Sequence, residues 1–454
     1  MNKFTQKILT ITVLLALIWV ITKFSNVYYS IPLWVLLFVL FKYTIFEYTA
    51  ILICTEFFSG IDTLKFGPIS IVQIFSVFIL ITSLQKLKST NLKILSNKII
   101  YPLLFILIYF TYSYFKYYKS LTLAPFNWLF VVILTVLTFN GSLKQLNFAL
   151  GLFVVSISVI TLETFLVQIL FYPDFILAKQ FSVGNSNFIG FYNLLNLIFI
   201  IFLYGNSNGK YLNILKTLFY FSSFYILFSG GRLNIFILVI FFISMMLSPI
   251  KTFWIKRNQM ILIFTLGFIV IFFLGSVTSL IFRHNEDKLI NLSRYSSIED
   301  LKNNELGSFT SARSRIYFDA YQAIIEKPIF GIGFLSWNDK NNNYNTLITG
   351  SDGSRISMHS TLLQYWAETG IFGLLAYLLY LFLIVSNGIK ISKSRVVYYY
   401  LSGKLVFYIS FFMILGSFLD NYSLSLNIIH FVAAISLTLI FKKQNGKKYS
   451  FLYK

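Results

Sequence analysis

Cysteine is almost absent from the chain, because Cys54 is the single one among 454 residues. No internal disulfide can form, and a metal cluster held by cysteine thiolates is excluded. Histidine is also scarce, with three residues, and no pair of histidines or cluster of aspartates shows metal-ligand spacing outside the apolar segments. Phosphate-cradling loops and Ser-His-Asp constellations in motif context are missing as well. The sequence therefore predicts no metal and no cofactor.

Charged residues are few, at 12% of the chain, whereas 57% of the residues are hydrophobic and the mean hydropathy is +0.75. Apolar runs recur that are long enough to cross about 30 Å of hydrocarbon as helices. The ten-residue alternation of a membrane β-barrel is missing, and only helices or closed barrels satisfy the backbone in lipid. We therefore predict an all-α polytopic membrane protein, with residues 8–22 as a retained anchor.

About fourteen membrane spans are predicted from these runs. Residues 30–59 could instead form one long kinked segment, but thirteen spans would place one of the two basic termini outside. The chain divides into residues 1–282 with spans 1–11, an extracytoplasmic loop at 283–369, residues 370–442 with spans 12–14, and a basic cytoplasmic tail at 443–454. The predicted spans are 8–22, 30–42, 44–59, 67–84, 98–115, 123–139, 147–172, 188–204, 211–229, 232–250, 259–282, 370–388, 396–416 and 421–442.

The net charge of +21 follows the predicted membrane topology rather than a surface for nucleic acid. More than half of the 37 basic residues fall in the predicted inner loops and tails. This asymmetry obeys the positive-inside rule, so both termini are predicted to be cytoplasmic and nucleic acid is predicted not to be a partner. The short outer connectors carry only six basic residues: Lys23, Lys65, Lys116, Lys119, Lys179 and Arg232.

The predicted outer loop collects most of the carboxylates and carries a helix signal. Apolar residues at three- and four-residue steps from Ile316 to Ile324 predict an amphipathic helix that begins near Ser311, ends before Pro328 and lies along the membrane surface with a polar face carrying arginines. Gly331 and Gly333 then permit a tight turn or a close backbone approach. Ten of the 16 acidic residues lie in this loop: Glu286, Asp287, Glu299, Asp300, Glu305, Asp319, Glu326, Asp339, Asp352 and Glu368.

The last part of the loop is predicted to change from irregular chain to helix. Residues 338–357 are rich in Asn, Asp, Gly and Ser and are predicted to be flexible. A short helix is predicted from His359 to the membrane at Gly370. Gly370 and Gly373 are predicted to let the twelfth span pack closely against a neighbouring helix.

His359 and three arginines are the candidates for chemistry. A loop histidine suits a general base near neutral pH, although a solvated side chain is the commoner role of such a residue. Arg232 follows Ser229-Gly230-Gly231, and Arg313 and Arg315 lie at the start of the predicted surface helix. Each arginine alone could be an interface anchor or a solvated residue, but several at headgroup level match the paired oxygens of a lipid diphosphate.

Glu163 and Lys404 are the ionisable residues predicted to lie within spans, away from their ends. Charge in lipid is costly, so such residues pair with one another, snorkel or line a polar cavity. A structural pair is the commoner explanation, and a proton or ion pathway is the alternative.

Three segments in this order resemble the bacterial O-antigen ligase and polymerase superfamily: SGGRLNIF, SARSRIYFDAYQAIIEKPIFGIGF and HSTLLQYWAETGIFGLLAYL. The resemblance covers about residues 225–390. It implies a metal-independent, inverting glycosyltransferase that acts on undecaprenyl-diphosphate-linked glycans at the outer face of the cytoplasmic membrane.

The resemblance also implies roles for particular residues. His359 matches the histidine that activates the acceptor hydroxyl, while Arg315 and Arg232 match arginines that hold the donor diphosphate. Arg313 is a nearby additional arginine whose role stays open. Ser360 stands where the family often has Asn, and Glu368 is a candidate for orienting His359 or the sugar, with a structural role as the alternative.

Three functions follow from these expectations. The first is a Wzy-like polymerase of O-antigen or capsule, whose donor and acceptor are both lipid-linked oligosaccharides in the membrane, with a chain-length regulator as a further candidate partner. The second is a ligase that transfers finished glycan to lipid A core or to a protein. The third is a transporter or flippase of the lipid-linked oligosaccharide, with Glu163 and Lys404 as a coupling pair.

Overall fold

The computed structural model describes residues 3–40, 43–58, 65–66, 69–85, 89–117, 124–171, 186–206, 211–228, 232–246, 306–334, 336–337, 343–344, 348–349, 354–355, 358, 360–419 and 427–444. This part of the chain is almost entirely helical, as the sequence predicted. The helices are α1 (Lys3–Phe24), α2 (Ile31–Val35), α3 (Ile45–Cys54), α4 (Ile71–Leu84), α5 (Ser89–Leu95), α6 (Ile100–Tyr117), α7 (Ala124–Thr138), α8 (Leu143–Phe171), α9 (Ser186–Gly205), α10 (Tyr211–Phe228), α11 (Arg232–Met246), α12 (Leu306–Glu326), α13 (Thr361–Ser392), α14 (Val397–Leu419) and α15 (Asn427–Gln444).

Shorter elements complete the described chain. Two 3₁₀ turns, Val27–Ser30 and Thr55–Phe57, and a π-helix, Leu36–Leu40, adjoin α2 and α3. Two antiparallel pairs of two-residue strands are present: β1 (Lys65–Phe66) with β2 (Ile69–Ser70), and β3 (Ile348–Thr349) with β4 (Ser354–Arg355). The second pair lies in the segment that the sequence predicted to be flexible throughout.

Several helices have the length and composition of membrane spans. Within the described residues, four are long and apolar enough to cross a membrane: Phe4–Phe24, Leu143–Leu166, Thr361–Ser392 and Val397–Phe418. Shorter apolar helices are Val27–Val39, Ile71–Leu84, Ile100–Tyr109, Trp128–Thr138, Ile189–Gly205 and Asn234–Ser244. All of them overlap predicted spans, which is consistent with a polytopic membrane protein. The predicted eleventh span lies outside the described residues, and the total of fourteen stays a prediction.

Polar contacts at one end of the helical bundle show how the first segments run. The Lys7 ammonium lies 2.7 Å from the Glu47 carboxylate and 4.8 Å from the centre of the Tyr43 ring. The start of α1 therefore lies beside the start of α3, and residues 27–40 between them run back along α1. This arrangement matches two separate segments rather than one long kinked one over residues 30–59.

The long helices α13 and α14 pack against each other at glycines that differ from the predicted ones. A Cβ added at Gly388 would lie 2.7 Å from the backbone nitrogen of Phe407, and one at Gly403 would lie 2.7 Å from the Gly388 carbonyl oxygen. These two positions therefore need glycine for the close helix contact. Gly370 instead faces loop backbone, and a Cβ at Gly373 would meet Thr369 of the same helix, so the predicted packing role of that pair was wrong.

Buried side-chain amides join α8, α9 and α10. The Asn193 amide donates to Thr161 Oγ1 at 2.9 Å, and the Asn196 amide donates to Ser158 Oγ at 3.2 Å and to Ser222 Oγ at 3.0 Å. Hydrogen bonds between apolar helices fix their rotation, because an unpaired amide in such surroundings costs free energy. These helices precede, along the chain, the loop that holds the candidate site.

Candidate active site

The predicted surface helix is present as α12, which begins at Leu306 and ends at Glu326, before Pro328. Its period was predicted correctly, since Ile316, Ala320 and Ala323 are fully buried and Ile324 nearly so. The helix begins five residues earlier than the Ser311 start that the sequence indicated.

The opposite face of α12 differs from the prediction over residues 316–326, where side chains are described, and the predicted arginines lie outside that range. Phe318, Tyr321 and Ile325 are each more than half exposed, and they lie about 150° around the helix axis from the buried residues, at 100° per residue. The outward face there is apolar and aromatic instead of polar. The polar residues Gln322 and Glu326 lie on the flank between the two faces.

The buried face of α12 packs into a small hydrophobic cluster, here called the loop core, that is separate from the large core of the bundle. Residues from both sides of the predicted flexible segment meet in it, so the two ends of this segment are held together. The Leu363 and Trp366 side chains pack against its edge. The loop core consists of Ile316, Ala320, Ala323, Ile324, Ile332, Trp337, Met358 and Ala367.

Backbone hydrogen bonds join the turn after α12 to the first part of α13, and we call this set the clasp. The Ile332 and Gly333 amides donate to the carbonyl oxygens of Ala367 and Glu368, both at 2.9 Å. The Ile371 amide donates in the other direction to the Pro328 carbonyl oxygen at 2.9 Å. Residues 328–333 therefore lie directly against residues 367–371.

The clasp depends on glycines. Gly331 and Gly370 have φ of 64° and 66°, in the region that side chains disfavour. A Cβ at Gly331 would overlap the Glu368 backbone, and one at Gly370 would overlap the Ile329 carbonyl group. The predicted close backbone approach at Gly331 is confirmed, and Gly370 is the residue that receives the turn.

Glu368 is buried, and its side chain makes hydrogen bonds next to the clasp. Its Oε1 accepts a hydrogen bond of 2.9 Å from the Trp337 backbone amide and one of 3.2 Å from the Gln364 side chain. A carboxylate in this position fixes the chain that follows the turn to α13. These contacts correspond to the structural role that the sequence left as an alternative for Glu368.

Residues on both sides of His359 are described, and His359 itself lies outside the described residues. Met358 is fully buried in the loop core. Ser360 is the N-cap of α13, since its hydroxyl accepts from the Leu363 amide at 3.4 Å. Serine and asparagine are both favoured N-caps, so Ser360 can serve as a cap where the family often has Asn. The predicted helix thus begins at Thr361, two residues after His359.

Aromatic residues connect the loop to the bundle below it. The Phe334 ring lies 6.0 Å from Tyr365 and 6.3 Å from Trp128, measured between ring centres. Tyr365 stacks on Tyr377 at 4.5 Å, and the Tyr377 hydroxyl is hydrogen bonded to Ser417. The loop therefore rests on α7, α13 and α14 through packed rings.

The arginine candidates lie in helices whose backbone is described but whose arginine side chains are not. Arg313 and Arg315 lie in the first half of α12, three residues and one residue before Ile316. Arg232 is the first residue of α11. Its proximity to His359 stays a prediction.

Glu163 and Lys404 have different neighbours. Glu163 lies close enough to Lys23 for their charges to interact, whereas the Lys404 ammonium lies 5.9 Å from the ring centres of both Tyr400 and Tyr408. Glu163 is twenty residues into α8, about 30 Å from its start, and Lys404 is near the start of α14. The described contacts do not support a coupling pair.

The sequence missed several residues that build this site. Trp337 is fully buried although it borders the predicted flexible segment, and Gln364 supports Glu368. The signal that could have indicated the burial of Trp337 is the presence of a large aromatic residue immediately before a polar segment. Gln364 lies one helical turn before Glu368, a spacing that allows such a hydrogen bond.

Residues 194–378 match the model of a protein family described as O-antigen ligase, Wzy_C. The matched range extends from α9 into α13 and includes Arg232, α12, His359 and Glu368. A comparison with curated proteins gave no match.

Proposed function

We propose, taking membership of the O-antigen ligase/polymerase superfamily as the premise, that this protein polymerises a bacterial surface polysaccharide. The donor is a glycan on undecaprenyl diphosphate, and the acceptor is the non-reducing-end hydroxyl of another lipid-linked repeat unit. The protein lies in the cytoplasmic membrane with fourteen spans and cytoplasmic termini, and residues 283–369 form the catalytic loop outside.

The proposed reaction is a single displacement. The acceptor oxygen forms a bond to the anomeric carbon as the bond from that carbon to the diphosphate oxygen breaks, so the configuration inverts. His359 takes the hydroxyl proton. Arg232, Arg315 and Arg313 offset the charge that grows on the departing undecaprenyl diphosphate, which is the kind of preorganised help that contributes most to catalysis. No metal is needed for this charge balance.

The observation that carries the proposal is the folding of α12 against the Met358–Ile371 segment. The loop core and the clasp hold the helix that bears Arg313 and Arg315 next to the chain that bears His359. A base and a diphosphate-binding group must keep a fixed separation in a displacement reaction, because catalysis depends on their positions. This pairing supports transfer chemistry in the outer loop.

A ligase that transfers finished glycan to lipid A core or protein would use the same residues, and it is the second candidate because the matched family carries the description O-antigen ligase. A transporter of lipid-linked oligosaccharide is disfavoured, since its proposed coupling residues Glu163 and Lys404 have separate neighbours.

His359→Ala tests the proposal in a strain that lacks the native gene. We expect long chains to disappear and single lipid-linked repeats to accumulate on the outer face, measured by gel electrophoresis of the polysaccharide and mass spectrometry of extracted lipids. His284→Ala is the matched histidine control and should retain long chains. Long chains that remain lipid-linked and fail to reach their final acceptor would indicate the ligase. Repeats trapped on the inner face would indicate the transporter, and normal polysaccharide would remove His359 from the mechanism.

A further inference from the structure

The exposed side of α12 and the turn after it form a continuous apolar surface, here called the outer apolar face. It comprises Phe318, Tyr321, Ile325, Ile329 and Phe330, which are between 49% and 58% exposed. The first three follow each other at steps of three and four residues, so they form one helix stripe. Ile329 lies four residues after Ile325 and extends the stripe into the turn.

The outer apolar face leads directly onto a stripe of the span-length helix α13. The clasp holds Ile329 and Phe330 against Gly370, where a Cβ would meet the Ile329 carbonyl and the Phe330 amide. Just beyond Gly370, exposed apolar residues recur at the same three- and four-residue steps along α13. These residues are Phe372, Leu375, Leu379 and Phe382, each about half exposed or more.

An apolar stripe along a span-length helix faces acyl chains when that helix crosses a membrane. Because the outer apolar face adjoins that stripe at the Gly370 kink, we expect both surfaces to meet the same medium. Tyr is enriched at the boundary between headgroups and acyl chains, and Phe is common on the apolar side of helices that lie in this boundary. The charged neighbours Glu326 and Lys327 are exposed at the end of α12, where they can reach water.

We propose that the outer apolar face is inserted into the outer leaflet of the lipid bilayer. One side of α12 then contacts lipid, and the opposite side packs against the loop core. A helix in this position lies parallel to the membrane with its apolar side about 5–10 Å into the boundary between headgroups and acyl chains. The inference does not depend on the proposed transferase chemistry, but it rests on the proposed placement of the loop outside the cytoplasmic membrane.

Single cysteines carrying a spin label measure this insertion in the full chain reconstituted into phosphatidylglycerol–phosphatidylethanolamine vesicles. Phe318→Cys, Tyr321→Cys and Ile325→Cys are the test variants, and Glu326→Cys on the flank of the same helix is the control. The native chain gives the background, because its one cysteine, Cys54, is buried and lies 2.9 Å from Ser156 Oγ.

We expect labels at the three test positions to collide more with oxygen than with a water-soluble nickel complex, at a depth of about 5–10 Å, and the label at position 326 to favour the nickel complex. Preference for the nickel complex at all four positions would overturn the proposal by placing the face in water. Protection from both reagents would also overturn it, because a second copy or another protein would then cover the face.

A second measurement uses the unaltered protein and so does not depend on the folding of any variant. Vesicles that contain phospholipid with a photoreactive diazirine in the acyl chain are irradiated, and labelled peptides are identified by mass spectrometry. Acyl-chain adducts on residues 318–330 support the insertion. If adducts form on residues 372–382 while residues 318–330 carry none, the proposal is refuted.

Discussion

Replacement of Gly370 by alanine tests how far the stability of the clasp depends on the backbone conformation at this position. Gly370 has φ of 66° and ψ of −169°, a conformation essentially limited to glycine, and forcing another residue into it costs about 1–3 kcal/mol. The new Cβ also displaces the Ile329 carbonyl, so the adjacent hydrogen bond from Ile371 to Pro328 is lost, at about 1 kcal/mol. The sum of about 2–4 kcal/mol shifts the clasp about 30- to 900-fold toward its open state, at 1.36 kcal/mol per factor of ten.

Hydrogen exchange followed by mass spectrometry provides the assay for Gly370→Ala. The amides of Ile332, Gly333 and Ile371 should exchange faster by about the same factor, since they are the donors in the clasp. Under the proposed function, polysaccharide chain length should fall as well, because α12 is then less firmly held against the Met358–Ile371 segment. Gly205→Ala is the control, since a Cβ there meets only the flexible tip of Leu401. Unchanged exchange in Gly370→Ala would refute the argument that the clasp depends on this backbone conformation.

The remaining predictions concern side chains of the site and its support. Glu368→Ala should destabilise the protein by about 1–3 kcal/mol because the Trp337 amide loses its buried acceptor. Glu368→Gln keeps an acceptor oxygen and should lose less, and equal melting temperatures for the two variants would contradict this. Arg315→Ala should reduce kcat/KM about 10- to 150-fold through the loss of a charged contact of about 1.5–3 kcal/mol with the donor diphosphate. An unchanged kcat/KM in this variant would remove Arg315 from the proposed diphosphate-binding set.

The sequence was sufficient to predict the helical class and α12. Ile316, Ala320 and Ile324 recur at the period of a helix, and Pro328 marks its end, so local pattern alone predicts the buried side. The outward side was mispredicted because the polar side was assigned from Arg313 and Arg315, near the start of the predicted helix, whereas the exposed residues farther along are Phe318 and Tyr321. A helix at a membrane surface can have two apolar sides, one against protein and one against lipid. A pattern search for one buried face does not consider the second side.

The clasp could not be predicted from pattern, since its partners are more than thirty residues apart and are mostly main-chain groups. Gly370 was assigned to helix packing because small residues in membrane helices commonly have that role. Its positive φ follows from the turn that packs on it, and nothing near Gly370 in the sequence indicates that turn. The close helix contact is instead made between Gly388 of α13 and Gly403 of α14, two glycines to which no packing role was assigned from the sequence.

Because the clasp is made of main-chain donors and acceptors, the loop can tolerate changes of side chain there. Every residue except proline supplies the same amide and carbonyl, so Ile332, Ala367 and Ile371 can be exchanged for other apolar residues without loss of the bonds they make. The residues that must stay unchanged are the glycines at positions 331 and 370, because a Cβ at either position would overlap neighbouring backbone. Substitutions can accumulate around the clasp while its geometry stays fixed.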